Sequence, residues 1–118
     1  MAEMAFQHLD SETFDGAIAS GVVLVDFWAP WCMPCQMLSP VLKELASSFA
    51  DRAAVAKVDT DQHPDVAQRY GISALPTLIL FKDGLIVRQF VGLTKFERLA
   101  RAIEEQLEGQ PTQPGTDA

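Results

Sequence analysis

Val22-Val23-Leu24-Val25-Asp26-Phe27-Trp28-Ala29-Pro30-Trp31-Cys32-Met33-Pro34-Cys35 holds a strand, a break and the start of a helix in one short run. Its first half is β-branched and aromatic without alternation, the pattern of a strand covered on both faces, as in a parallel sheet. Pro30 ends that strand. Pro34 suits a first helical turn, because the N–H it lacks would have no partner there, so a helix is predicted to begin around Cys32 or Met33. Leu38, Val41, Leu42, Leu45, Ala46 and Phe49 then recur at three- and four-residue steps and give this helix one apolar stripe. Pro40 removes the N–H that would bond the carbonyl of Gln36, which predicts a kink rather than a break.

Upstream, Asp10 or Ser11 is placed to cap a first helix carrying Phe14, Ala17 and Ile18, closed by Gly21. Downstream, Ala53 to Asp59 reads as a second buried strand, and Pro64 opens a short helix ending near Tyr70-Gly71. Thr77 to Phe81 and Leu85 to Val91 read as strands joined through Asp83-Gly84, a hairpin signal because both turn positions want positive φ. Thr94-Lys95-Phe96-Glu97 has the spacing of a capping box, ahead of a helix with Phe96, Leu99, Ala100, Ile103 and Leu107 on one face. Parallel strands need crossovers and the hairpin strand must run antiparallel. The expected fold class is therefore α/β, a central mixed sheet flanked on both faces by helices. One domain over residues 1–108 is expected, with 109–118, poor in anything to bury, as a disordered tail.

The bulk numbers narrow the function. At 118 residues there is room for a single self-sufficient core, and 48% apolar with 21% charged residues is an ordinary globular mixture. A net charge of −7 with no basic stripe speaks against nucleic acid and favours a monomer. The run Val22 to Trp28 is far shorter than the roughly 20 residues of a membrane-spanning helix. Met1 to His8 has no basic n-region and no long apolar run, so the expectation is a cytoplasmic protein, or else the processed form of an exported one.

Cys32 and Cys35 are the two cysteines of the chain, one helical turn apart, a spacing that permits a disulfide with little backbone movement. A helix N-terminus offers unpaired N–H groups and the positive end of the macrodipole, and both favour thiolate over thiol. Cys32 is thus expected to be the nucleophile and Cys35, a turn further in, the less exposed partner that resolves a mixed disulfide. The other readings are an inert buried pair, a static disulfide, or half a zinc site; zinc would need further ligands, and His8 and His63 are distant in sequence. Asp26, a lone carboxylate in an apolar strand, should have its pKa raised by desolvation, unless strand-end hydrogen bonds satisfy it.

Trp28-Ala29-Pro30-Trp31-Cys32-Met33-Pro34-Cys35, with Asp26 before it and Leu75-Pro76-Thr77 after it, closely resembles the thioredoxin family from about Phe6 to Leu107. The resemblance implies a thioredoxin fold and protein-disulfide reduction. It implies no bound cofactor, with electrons arriving from NADPH through a flavin-dependent thioredoxin reductase, and diverse disulfide-containing proteins as substrates. By the same resemblance Asp26 lies behind Cys35 and assists its deprotonation, and Lys57 approaches Asp26 to tune that transfer, a simple buried ion pair being the alternative. The Leu75-Pro76 bond is implied to be cis and to face the cysteines, with the backbone at Leu75 pairing with an extended substrate. Trp31, Met33, Pro34, Leu75, Val91, Gly92 and Leu93 are expected to form an apolar rim around Cys32, although Val91 and Leu93 could equally be sheet-end packing. Trp28 reads as core that shields the disulfide. Met33 departs from the family, which usually has Gly there; it either adds a flexible apolar contact or is a neutral surface substitution.

Overall fold

The computed structural model describes residues 6–109. In chain order its elements are β1 (Gln7–Leu9), α1 (Phe14–Ile18), β2 (Val22–Trp28), α2 (Met33–Ser48), β3 (Ala53–Asp59), α3 (Pro64–Arg69), β4 (Thr77–Lys82), β5 (Leu85–Val91) and α4 (Phe96–Leu107). The strands form one sheet in the order β1-β3-β2-β4-β5, with β1 and β2 parallel to β3, and β4 antiparallel to both β2 and β5. This is the mixed α/β sheet expected from the sequence.

Alternation along β2 sorts its side chains between two cores. Val22 and Leu24 pack with Leu38, Leu42 and Leu45 of α2 and Leu99 and Ile103 of α4. Val23, Val25 and Phe27 pack on the other face with Phe14 and Ile18 of α1 and Val66 of α3. There the rings of Phe14, Phe27, Tyr70 and Phe81 meet at centroid distances of 5.4 to 6.1 Å. The absence of alternation in β2 is thus the mark of burial on both sides. Asp26 has the parity of Val22 and Leu24 and so projects toward the α2 face.

Three local expectations change. Gln7–Leu9, to which the sequence reading assigns no element, is an edge strand: it pairs with Ala56, Lys57 and Val58 and buries only Leu9. The capping box does not form. Lys95 is the N-cap of α4 without a side-chain bond, and the Thr94 hydroxyl donates instead to the Gly92 carbonyl at 3.0 Å. Asp10 does cap, but one turn early, accepting the N–H groups of Glu12 and Thr13 at 2.9 and 2.8 Å before α1 begins at Phe14.

α2 runs through Pro40 without the break that the sequence reading ruled out. Asp83 and Gly84 have φ of 52° and 84°, the two positive values that the β4–β5 turn requires. Asp83 also ties the turn to Gly21, accepting its N–H at 2.8 Å and donating to its carbonyl at 2.9 Å. The expected tail lies outside the described residues apart from Gly109. Among the described residues no helix is long and apolar enough to cross a membrane.

Candidate active site

The carboxyl-terminal end of β2 delivers the chain to the start of α2, and there the two cysteines sit. Cys32 is the N-cap of α2 and Pro34 falls in its first turn. A disulfide joins Cys32 and Cys35, with Cα atoms 5.3 Å apart. Cys32 Sγ accepts the Cys35 backbone N–H at 3.2 Å, so the sulfur already occupies the capping position where an anion is favoured. No acidic residue stands in the first turn of α2 to oppose that. Both cysteines are buried, Cys32 at 4% exposure and Cys35 at 2%, so the expected difference in exposure is small in the oxidised form. They pack with Ala29, Trp28 and Leu75.

Asp26 is wholly buried and neither of its carboxylate oxygens has a hydrogen-bond partner among the described residues. The reading of a satisfied strand-end acid therefore does not apply. Burial pushes its pKa up to about 7, against a smaller lowering by Lys57. Asp26 and Lys57 are register partners across β2 and β3, which puts both side chains on one face. Lys57 Nζ lies 4.0 Å from Asp26 Oδ2 and 4.8 Å from the centre of the Trp28 ring. Lys57 also lines a cavity of about 390 Å³ with His8, Asp59 and His63. Among the described residues no group of three or more His, Cys, Asp or Glu side chains is placed to hold a metal ion.

The rim comes from three separate segments. Trp31 and Met33 flank Cys32 and are 70% and 63% exposed. Leu75 reaches the cysteines from the loop before β4, and the Leu75–Pro76 peptide bond is cis. Val91, Gly92 and Leu93 leave the end of β5, where the Gly92 N–H donates to the Pro76 carbonyl at 2.8 Å and joins this segment to the cis-proline loop. Val91 and Leu93 are 55% and 53% exposed, so each keeps about half of its surface in solvent at the end of the sheet. Pro34 is exposed and Pro76 buried. Beside the rim, Trp31, Thr60, Ala67, Ile72 and Leu75 line a groove of about 320 Å³. A larger cavity, about 680 Å³, lies at the opposite end of β2 and β3, around Gly21, Val22 and Ala53, away from the chemistry.

Two neighbours of Cys32 escape the sequence reading. Asp61 accepts the Trp31 indole N–H at 2.9 Å and fixes that exposed ring; nothing local in the sequence marks a partner thirty residues away. Met37, 58% exposed, stands one turn beyond Met33, and its four-residue spacing from Met33 was the available signal.

The Thioredoxin family model matches residues 5–105. Proteins named thioredoxin from three strains of Staphylococcus aureus, Mu50 / ATCC 700699, MW2 and N315, are each 44% identical to this chain over 104 residues, which is 88% of this chain and 100% of theirs. Agreement over nearly all of the described fold and the full length of those relatives shows that the chain belongs to the thioredoxin family, as a thiol–disulfide oxidoreductase that reduces protein disulfides by dithiol–disulfide exchange at Cys32 and Cys35.

Proposed function

We propose that Cys32 is the attacking sulfur and Cys35 the resolving one, on the strength of a single observation: Cys32 Sγ caps α2 and accepts the Cys35 N–H. In the reduced form that N–H and the helix dipole hold Cys32 as a thiolate. The thiolate attacks a substrate disulfide, forming a Cys32–substrate disulfide and expelling one substrate thiolate. Asp26 takes the proton of the Cys35 thiol. The Cys35 thiolate then attacks Cys32 Sγ, closing the Cys32–Cys35 disulfide and releasing the second substrate thiolate. Two electrons have passed to the substrate, and a dithiol donor must return them.

That donor, by analogy with the family, is a flavin-dependent thioredoxin reductase drawing on NADPH, and the setting is the cytoplasm. Leu75, just outside the β4 pairing that begins at Thr77, offers main chain for strand addition by the substrate, over a rim of Trp31, Met33, Pro34, Pro76, Gly92 and Leu93. Residues 1–108 act as one working unit. The test is the reduction of insulin by dithiothreitol in the presence of the protein, with alkylation of Cys32 followed against pH. Catalysed reduction and an alkylation midpoint below the free-cysteine value of about 8.5 are expected; a midpoint at that value would refute the role of Cys32.

Lys57 tunes Asp26 in this scheme. Its charge lowers the Asp26 pKa, so Lys57→Met is expected to move the carboxyl titration above its present value of about 7. A carboxyl-carbon NMR titration reads this directly, and an unmoved or lower midpoint would remove Lys57 from the mechanism.

A further inference from the structure

The side of α2 turned away from the sheet carries an unusual surface. Cys35, Leu38, Leu42 and Leu45 bury the inner side of the helix, yet Met33 and Met37 hold two large apolar side chains in solvent, at 63% and 58% exposure. Four-residue spacing puts them on one face, and Val41 continues the row. Val41 is half-buried against the core cluster shared by α2 and α4, so the row ends at the edge of that core. From Met33 to Leu42 the helix has no charged residue, in a chain with 16 acidic and 9 basic side chains.

We propose that Met33, Met37 and Val41 form a docking ledge for the apolar flank of the disulfide-bearing polypeptide, a proposal that rests on the reductase reading and names the chemistry of its preferred substrates. The ledge is continuous with the rim, because Met33 follows Cys32 directly. The four residues from Met33 to Met37 advance about 6 Å along the helix axis, and two residues of extended chain span about 6.6 Å. A substrate cysteine held at Cys32 therefore brings a side chain two residues away over Met37, and one four residues away over Val41. Thioether side chains adapt to partners of varied shape, which suits an enzyme acting on many sequences. The missing charge makes the preference one for apolar side chains and leaves it insensitive to salt.

Two disulfide-bridged peptides of equal length, one with Leu-Val flanking each cysteine and one with Ser-Gly, test the ledge alongside dithionitrobenzoate, a disulfide with no peptide flank. In Met37→Gln, kcat/KM for the Leu-Val peptide is expected to fall about 5-fold, mostly through KM, from the apolar burial lost. The Ser-Gly peptide and dithionitrobenzoate should stay within about twofold of the unsubstituted chain, and Met37→Leu should keep the preference. An unchanged Leu-Val rate overturns the proposal, and so does an equal fall on all three disulfides, which would place the effect on the Cys32 chemistry. If the unsubstituted chain reduces none of them, the reductase reading itself fails and the ledge falls with it.

Discussion

Asp26→Asn is expected to stabilise the fold by about 4 kcal/mol at pH 8 and by almost nothing at pH 3, because burial raises the Asp26 pKa from 3.8 to about 7 and so makes the folded protein hold a proton that the unfolded chain gives up. In the unfolded chain the carboxyl loses its proton near 3.8, while in the folded protein it keeps it until about 7. Between those values the folded state binds more protons, so stability declines as pH rises through the window and is flat above it. Lys57 at 4.0 Å offsets only part of the cost, and neither oxygen has a hydrogen bond. Asparagine has the same shape without the charge, so its fold should show no such decline. Urea unfolding of both proteins across this pH range is the measurement. Equal stability at pH 8 would mean that burial does not raise the Asp26 pKa above its unfolded value. The more stable variant should also be the slower reductase, since it lacks the acceptor for the Cys35 proton.

The second large effect concerns turnover. Cys35→Ser is expected to reduce it by on the order of 10³-fold or more, because resolution then depends on an external thiol instead of a sulfur already positioned beside the mixed disulfide. The first step should survive, because Cys32 keeps its place at the head of α2 and can still accept the backbone N–H of residue 35. The variant should accumulate as covalent complexes with substrate proteins, released by dithiothreitol and identified by mass spectrometry. Cys32→Ser should form none. Complexes joined through residue 35 in Cys32→Ser, with none through Cys32 in the other variant, would exchange the two roles.

Much of the fold and the site is legible in the amino-acid sequence, and for identifiable reasons. β2 announced its burial on both faces through an unbroken apolar run, and the one residue that interrupts it, Asp26, is the buried carboxylate of the site. The cysteine pair could be placed on a helix start because Pro34 and the stripe from Leu38 onward are local signals. β1 was hidden: Gln7-His8-Leu9 is too short to show a period, and it is a strand only because β3 lies beside it. Thr94 had the right spacing for a cap, but its hydroxyl turns back to Gly92, which no spacing rule reports. The Trp31–Asp61 bond and the link from Gly92 to Pro76 join segments far apart in sequence, and only the folded sheet brings them together. The rim residues were found through family likeness, not through periodicity.

The bridge between Cys32 and Cys35 closes a ring with a sequence separation of only 3. A cross-link limits an unfolded chain in proportion to the logarithm of the loop it closes, so a ring this small is worth about 2 kcal/mol where one spanning a whole domain would reach nearly 5. Loading and unloading a pair of electrons therefore shifts the scaffold's stability by less than half of what a domain-spanning bridge would, and the same architecture serves both ends of the cycle.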